Sequence, residues 1–367
     1  MEFIVDKSAL VHELGFLRKA VEEKRVTTPV LSNVLIEARD GKILLTATDF
    51  FLCIRSACSA DVRKEGSGTA PVKKLFNYVC LLPEDEIRIK WLDNDCMRVT
   101  CGSSYAEMVG ISGSSFPELP SMPFAGVEIP AALLSSMIAQ TLFAISKEDS
   151  ILSPGGALLL VKPSSLIMVS TDRCRLAYVE EMMETKLDKD LKILIPKRAV
   201  IEILRLAKDH GDGKVVIAHD DNYLFFEFGS RLLITQKLNK EFFSYDRALP
   251  ESNSQTARLS RDEMKAALER VAQFADEDSH AIRLQFMPGE VKVSAYSFDF
   301  GESRESVSAD YAGPEITIGF NVRYLLDFLY AVPDEKVYFR FNDHRSAMEL
   351  NPAEGSCRYV VMPLMRV

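Results

Sequence analysis

Apolar residues recur at three- and four-residue spacing in six stretches, 7–23, 71–82, 130–147, 196–208, 260–275 and 320–332, which predicts six one-sided helices. In the first, Leu10, Leu14 and Leu17 follow Ser8, read as the N-cap. In the fifth, Met264, Leu268 and Val271 follow Ser260, with Glu263 at the capping-box position. Pro71 and Pro196 stand where a first-turn proline is tolerated. Between these stretches the pattern changes to period two or to short β-branched runs, at 42–46, 87–91, 98–101, 214–218, 223–228, 231–235, 292–295 and 336–341. Asp93-Asn94-Asp95 and His219-Asp220-Asp221-Asn222 punctuate them as turns. Strands outnumber helices and cluster as meanders, so the expected fold class is α+β with antiparallel sheets.

The elements repeat. The second helix of each set begins at Pro71, Pro196 and Asn321, at two equal intervals of 125 residues (196 − 71 and 321 − 196). The first begins at Ser8, Pro130 and Ser260. Two strands carry similar words, Leu45-Thr46-Ala47-Thr48-Asp49 and Met168-Val169-Ser170-Thr171-Asp172, set 123 residues apart (171 − 48). A period near one third of 367 residues signals whole domains in tandem rather than a solenoid. The expected domains are 1–125, 126–251 and 252–367, with linkers in the proline-containing stretches 116–126 and 249–255.

With 47% hydrophobic residues, 367 residues exceed what one core usually holds, which agrees with three domains. Apolar runs such as 157–161 are too short to span a bilayer and no signal segment is evident, so a soluble, cytoplasmic protein is expected. Cys53, Cys58, Cys80, Cys96, Cys101, Cys174 and Cys357 contain no Cys-x-x-Cys pair and read as structural thiols; no metal or cofactor is expected.

A net charge of −9 argues against a nucleic-acid partner until its distribution is considered. The six helical stretches hold 14 Lys or Arg against 8 Asp or Glu, whereas the rest of the chain holds 30 against 45. If the helices share one face, that face is basic.

Catalytic templates fail. Gly211-Asp212-Gly213-Lys214 lacks the earlier glycine of a phosphate loop and has Val215 after the lysine. Ser153-Pro154-Gly155-Gly156 lacks strand-to-helix context, and the five histidines show neither metal-ligand nor nucleophile spacing. Asp49 and Asp172 occupy equivalent repeat positions and read as turn caps; Asp276-Glu277-Asp278 reads as a solvated helix end.

Six helices spaced 8–10 Å apart make a wall roughly 55 Å long. Closed alone, it leaves a hole of about 8 Å, too small for a duplex roughly 20 Å across. Twelve helices from two chains leave about 24 Å, so DNA as ligand implies a head-to-tail homodimer. Such a lining would hold phosphates weakly, without reading bases.

The C-terminal Tyr359-Val360-Val361-Met362-Pro363 resembles the terminal segment of the β sliding clamp family of bacterial DNA polymerase III. The resemblance runs along the whole chain, through Thr28-Pro29-Val30-Leu31-Ser32-Asn33, Phe116-Pro117-Glu118-Leu119, Thr171-Asp172 with Arg175-Leu176, Pro196-Lys197-Arg198-Ala199, and Gly319-Phe320-Asn321-Val322 with Tyr324. It implies three tandem copies of a DNA-clamp domain, with helices lining an inner face and antiparallel sheets outside. It also implies a non-catalytic, ring-shaped homodimer that encircles double-stranded DNA without sequence preference and tethers the polymerase III catalytic subunit. The clamp loader and other replication and repair proteins would share the same peptide pocket; no membrane partner is implied.

By that resemblance the pocket comprises Thr171, Arg175 and Leu176, with Ala248, Ser346 and Val360. The tail adds Met362, Pro363, Leu364, Met365 and Arg366. Arg173-Cys174 replaces a common Gly-His, Phe243-Ser244 stands where Pro-Asp is usual, and Pro154 takes a usual leucine position. DNA-facing positions are Arg25, Lys73, Lys74, Lys197 and Arg198; Arg205 is added on helical spacing. At the ring joint, Met108 and Phe274 match apolar positions, whereas Ala106 and Gln273 replace larger ones. Two other readings stay open: a hydrolase or transferase with its site at a linker, and a protein-binding scaffold that never meets DNA.

Overall fold

The computed structural model describes residues 1–21, 28–83, 86–146 and 155–365. Helices form where the apolar stripes lie: α1 (Lys7–Ala20), α2 (Val72–Leu81), α3 (Ala131–Thr141), α4 (Lys197–His210), α5 (Arg261–Val271) and α6 (Val322–Ala331). The starts of α2, α4 and α6 preserve both 125-residue intervals (197 − 72, 322 − 197). The cap of α1 differs from expectation. Asp6, not Ser8, is the N-cap, its carboxylate accepting from Ala9 N at 2.8 Å. A carboxylate meets the helix dipole better than a hydroxyl, and Ser8 falls inside the first turn. Ser260 caps α5 as expected, accepting from Glu263 N.

Contacts divide the chain into two compact units, Met1–Ser135 with Ile201–Lys237, and Ser136–Val200 with Leu238–Val367. The first unit holds two antiparallel sheets. Five strands run in the order Asp61–Lys64, Glu2–Asp6, Glu86–Trp91, Cys96–Cys101, Ser104–Val109. A second sheet of nine strands includes Lys42–Thr48, Leu52–Ser59, Arg231–Gln236 and Tyr223–Phe228 side by side. Leu10, Leu14 and Leu17 of α1 and Val72, Leu75 and Val79 of α2 are buried, as their stripes require.

In the second unit, twelve strands form one antiparallel sheet. At its middle, Arg175–Met182 pairs with Arg358–Val361. α5 and α6 pack their apolar stripes into a core that includes Leu268, Phe286, Phe328, Phe339 and Tyr359.

The expected linkers are irregular, yet they do not separate sheets. Leu52–Ser59 pairs with Arg231–Gln236, and Arg175–Met182 with Arg358–Val361, so each sheet runs on from one expected domain into the next. Joining edge to edge removes unpaired backbone that would otherwise invite aggregation. This is why the chain packs as two compact units. Open edges persist elsewhere: Ser104–Val109 ends its sheet, and among the described residues 301–308 pair only with 290–297.

Candidate functional site

Thr-Asp words terminate two equivalent strands, and the same hydrogen bonds recur in each. Thr48 Oγ1 accepts from Phe50 N at 3.1 Å and donates to Leu52 O at 3.1 Å, while Asp49 Oδ1 accepts from Phe51 N and Leu52 N. Thr171 Oγ1 accepts from Arg173 N at 2.9 Å and donates to Arg175 O at 2.6 Å, while Asp172 Oδ1 accepts from Cys174 N and Arg175 N. The bonds draw the chain into a turn whose third residue is left-handed, φ 74° at Phe50 and 79° at Arg173. The repeated aspartates are therefore turn caps, as their repetition suggested.

The second turn presents Arg175. Its Nε donates to Asp172 at 2.9 Å, one terminal nitrogen to Asp327 at 2.5 Å and the other to Phe143 O at 2.7 Å, and its guanidinium lies 4.4 Å from the Tyr324 ring centroid. Burial opposes its charge, but Tyr359, Asp327 and Asp172 outweigh it and hold the arginine protonated more firmly than usual. The Tyr324 hydroxyl is pushed up to about 12, first by burial and then by Asp172, so it stays neutral. Arg175 is thus a buried structural cation, and the sequence reading missed its partners Asp327 and Phe143.

Beside it lies an apolar cluster on the sheet: Leu158, Ile167, Val169, Leu176, Phe242 and Val360 are buried, and Tyr245 and Ala248 pack against them. Leu176 and Val360 are direct cross-strand partners. Their edge is exposed. Phe243 is stacked on Phe242 with centroids 5.4 Å apart and remains 44% exposed, and Met362 is 49% exposed. Met362 N donates to Cys174 O at 2.8 Å, which ties the tail to the Thr-Asp turn. Arg173, Cys174 and Met365 are exposed, Pro363 is buried and Leu364 half-buried, its N bonded to Gly319 O. Thr171 is buried, and Ser346 is held in a separate turn by Asp343.

The structure therefore places Leu176, Val360 and Ala248 in one apolar cluster, with Phe243 exposed beside Phe242 and Met362 exposed on the tail, while Thr171 and Arg175 are buried in the adjoining turn. Arg366 and Pro154 lie outside the described residues. Phe242 and Leu158 were missed. The signal for Phe242 was its repeat mate, Phe116, 126 residues earlier (242 − 116).

Of the expected DNA-facing residues, Lys74 on α2 is exposed, Lys73 and Arg198 are half-buried, and Arg25 lies outside the described residues. Lys197 departs from a free phosphate contact: its ammonium donates to Ile145 O at 3.0 Å and Ser146 O at 3.3 Å, which satisfies carbonyls at the end of the turn Leu142–Ala144. Arg205 pairs with Glu202 at 3.0 Å one turn away on α4, which offsets part of its charge.

At the expected joint, Met108 is buried in its own sheet; the exposed apolar side chains of that open strand are Tyr105 and Val109. Ala106 is half-buried on the same strand. Phe274 packs on the core after α5, and Gln273 beside it is exposed. Among the described residues no group of three or more His, Cys, Asp or Glu is placed to hold a metal. None of the helices among them is long and apolar enough to cross a membrane.

A repeated domain of two helices on antiparallel sheet is a clamp-like architecture. The chain belongs to the DNA polymerase III beta subunit family, the beta sliding clamps, which are non-catalytic processivity factors in DNA replication. The N-terminal, central and C-terminal domains of that family match residues 1–120, 128–243 and 246–365. The beta sliding clamp of Chlamydia pneumoniae is 31% identical over 371 residues, covering 99% of both chains. That of Synechococcus elongatus is 31% identical over 373 residues with the same coverage. Among solved structures, the DNA polymerase sliding clamp of Pseudomonas aeruginosa is similar with TM-score 0.92, 29% identity and 99% of each chain covered. The Bartonella birtlesii clamp bound to griselimycin is similar with TM-score 0.94 and 28% identity over all of both chains.

Proposed function

We propose that two copies of this chain close head to tail into a ring around duplex DNA and tether replication proteins to it. The observation that carries this reading is the pair of open strand edges, Ser104–Val109 in the first repeat and 301–308 in the third. Two different edges, one in the first repeat and one in the third, suit a heterologous contact that closes when two copies meet. The observed helices support the DNA reading, with 13 Lys or Arg against 7 Asp or Glu in a chain whose net charge is −9.

The domains are 1–125, 126–251 and 252–367, and the ring acts in the cytoplasm. An extended peptide from the polymerase catalytic subunit, the clamp loader or a repair protein docks on the floor formed by Leu176, Ala248 and Val360. Met362 and Phe243 flank its apolar anchor. An ATP-driven loader opens the ring.

The reading is tested by loading labelled protein onto nicked circular DNA and then cutting the circle once. Enclosure predicts long retention on the circle and rapid loss after cutting. Equal retention on both would favour a scaffold that binds DNA-bound proteins instead.

A further inference from the structure

We propose that the sheet joining the first and second repeats carries a second peptide-docking surface, equivalent to the one joining the second and third. The inference rests on the pocket reading above and extends it to a place that reading does not assign.

The two surfaces correspond at their cross-strand pair, at the linker residues laid against it and at the turn beside it. In one, Leu176 pairs across strands with Val360; in the other, Cys53 pairs with Ile234. Leu176 follows Cys53 by 123 residues (176 − 53), and Val360 follows Ile234 by 126 (360 − 234). Each pair belongs to its own apolar cluster, and Cys53 and Ile234 share theirs with Ala218 and Phe225. A linker covers part of each. Leu119 and Met122 lie against the first cluster as Tyr245 and Ala248, both 126 residues later (245 − 119, 248 − 122), lie against the second. Both surfaces are bordered by the same Thr-Asp turn.

The border differs in chemistry. Where the second copy has Arg173 and Cys174, the first has Phe50 and Phe51, which are 52% and 65% exposed. They are fixed to the neighbouring strand, since Gln236 N donates to Phe51 O at 3.0 Å and Gln236 Nε2 to Phe50 O at 3.3 Å. Two adjacent exposed aromatics on a rigid turn make a contiguous apolar patch, the kind of surface that marks an interaction site. The occupant is a short extended segment of a partner protein with a leucine or phenylalanine anchor. The cluster beneath is wholly apolar, and Met122 and the Cys53 thiol adapt to either shape. Burial pushes that thiol up to about 12, so it acts as an apolar surface and not as a nucleophile.

The test uses the full-length protein and a fluorescein-labelled decapeptide carrying one Leu-Phe pair between polar residues. Stoichiometry is read by calorimetry and affinity by anisotropy. Two peptides per chain are expected. Met362→Asp should remove one and Phe51→Asp the other, each weakening its own site about tenfold or more. The double variant should bind none, and both positions are exposed enough for melting curves to stay unchanged. With a benzophenone on the peptide, the Met362→Asp protein should crosslink within 48–53 or 119–124. If that protein binds nothing, the second surface is overturned and the pocket reading stands. If Met362→Asp has no effect while Phe51→Asp removes binding, the pocket reading fails and the second surface survives. Binding that persists in the double variant overturns both.

Discussion

Arg231 grips Glu13 through a two-bond fork, Nε to Oε2 at 2.8 Å and a terminal nitrogen to Oε1 at 2.7 Å, joining residues 218 apart in sequence. Its other terminal nitrogen reaches Asp209 at 2.6 Å, and its guanidinium lies 4.7 Å from the Phe16 ring centroid. Arg175 makes a comparable box with Asp172, Asp327 and Tyr324. The middle third of the chain therefore holds each neighbour with one buried arginine. Every such charge sits beside the continuous sheet that the neighbours share.

Removing one partner should cost more than the pair contributes. Arg231→Ala should destabilise the protein by about 3–5 kcal/mol, because buried Glu13 is left uncompensated, and Glu13→Ala by less, because Asp209 still pairs with Arg231. Replacing both by apolar residues, Glu13→Leu with Arg231→Met, should cost far less. Urea unfolding of the three variants decides this; equal loss in the double and single variants would refute it.

Acid should weaken the second unit. Burial raises the pKa of Glu349, but bonds from Arg358, Asn351 and Asn253 outweigh it and leave the pKa below 4.5. A depressed carboxylate contributes stability that is complete above the unfolded value and lost as pH falls through the folded one. The urea midpoint should therefore drop as pH is lowered below about 4.5. Glu349→Gln should be less stable at neutral pH and show a shallower acid slope. A slope identical to that of the unsubstituted protein would exclude Glu349 as a cause.

Tyr105 stands on the open edge of the five-stranded sheet with its ring in solvent. If this edge meets a second copy, Tyr105→Glu should raise the dimer dissociation constant about tenfold or more by placing a charge in an apolar contact. Mass photometry across nanomolar to micromolar concentrations measures it. A dissociation constant that does not move would place the contact elsewhere.

Lys74 and Arg198 lie on helices that the charge distribution marks as basic. Lys74→Ala and Arg198→Ala should each weaken duplex binding regardless of sequence and reduce the salt slope by about one. Anisotropy titrations over a range of salt provide the check, and a slope unchanged in both variants would remove them from the DNA face.

Much of this was legible from short stretches. The stripe Met264, Leu268, Val271 located α5, and the two Thr-Asp words foretold turns that close within five residues. The contacts of Lys197 were not legible in this way: a lysine at a helix start looks solvated until Ile145 O and Ser146 O arrive from 52 and 51 residues away. Met108 alternates in step with inward neighbours, but which face of its sheet is covered depends on what packs there.

By itself the sequence determined the six helices, some of the strands, the turns and the threefold recurrence, because periodicity and side-chain-to-backbone bonds act over a few residues. Only the tertiary structure decided that the sheets run across the expected domain boundaries and that Arg231 and Arg175 are locked to distant carboxylates. It also decided that Leu176 and Val360 are buried side by side whereas Phe243 and Met362 are exposed. Those outcomes depend on strands more than 100 residues apart meeting in one register, and burial of a side chain is a property of its neighbours rather than of its own position in the chain.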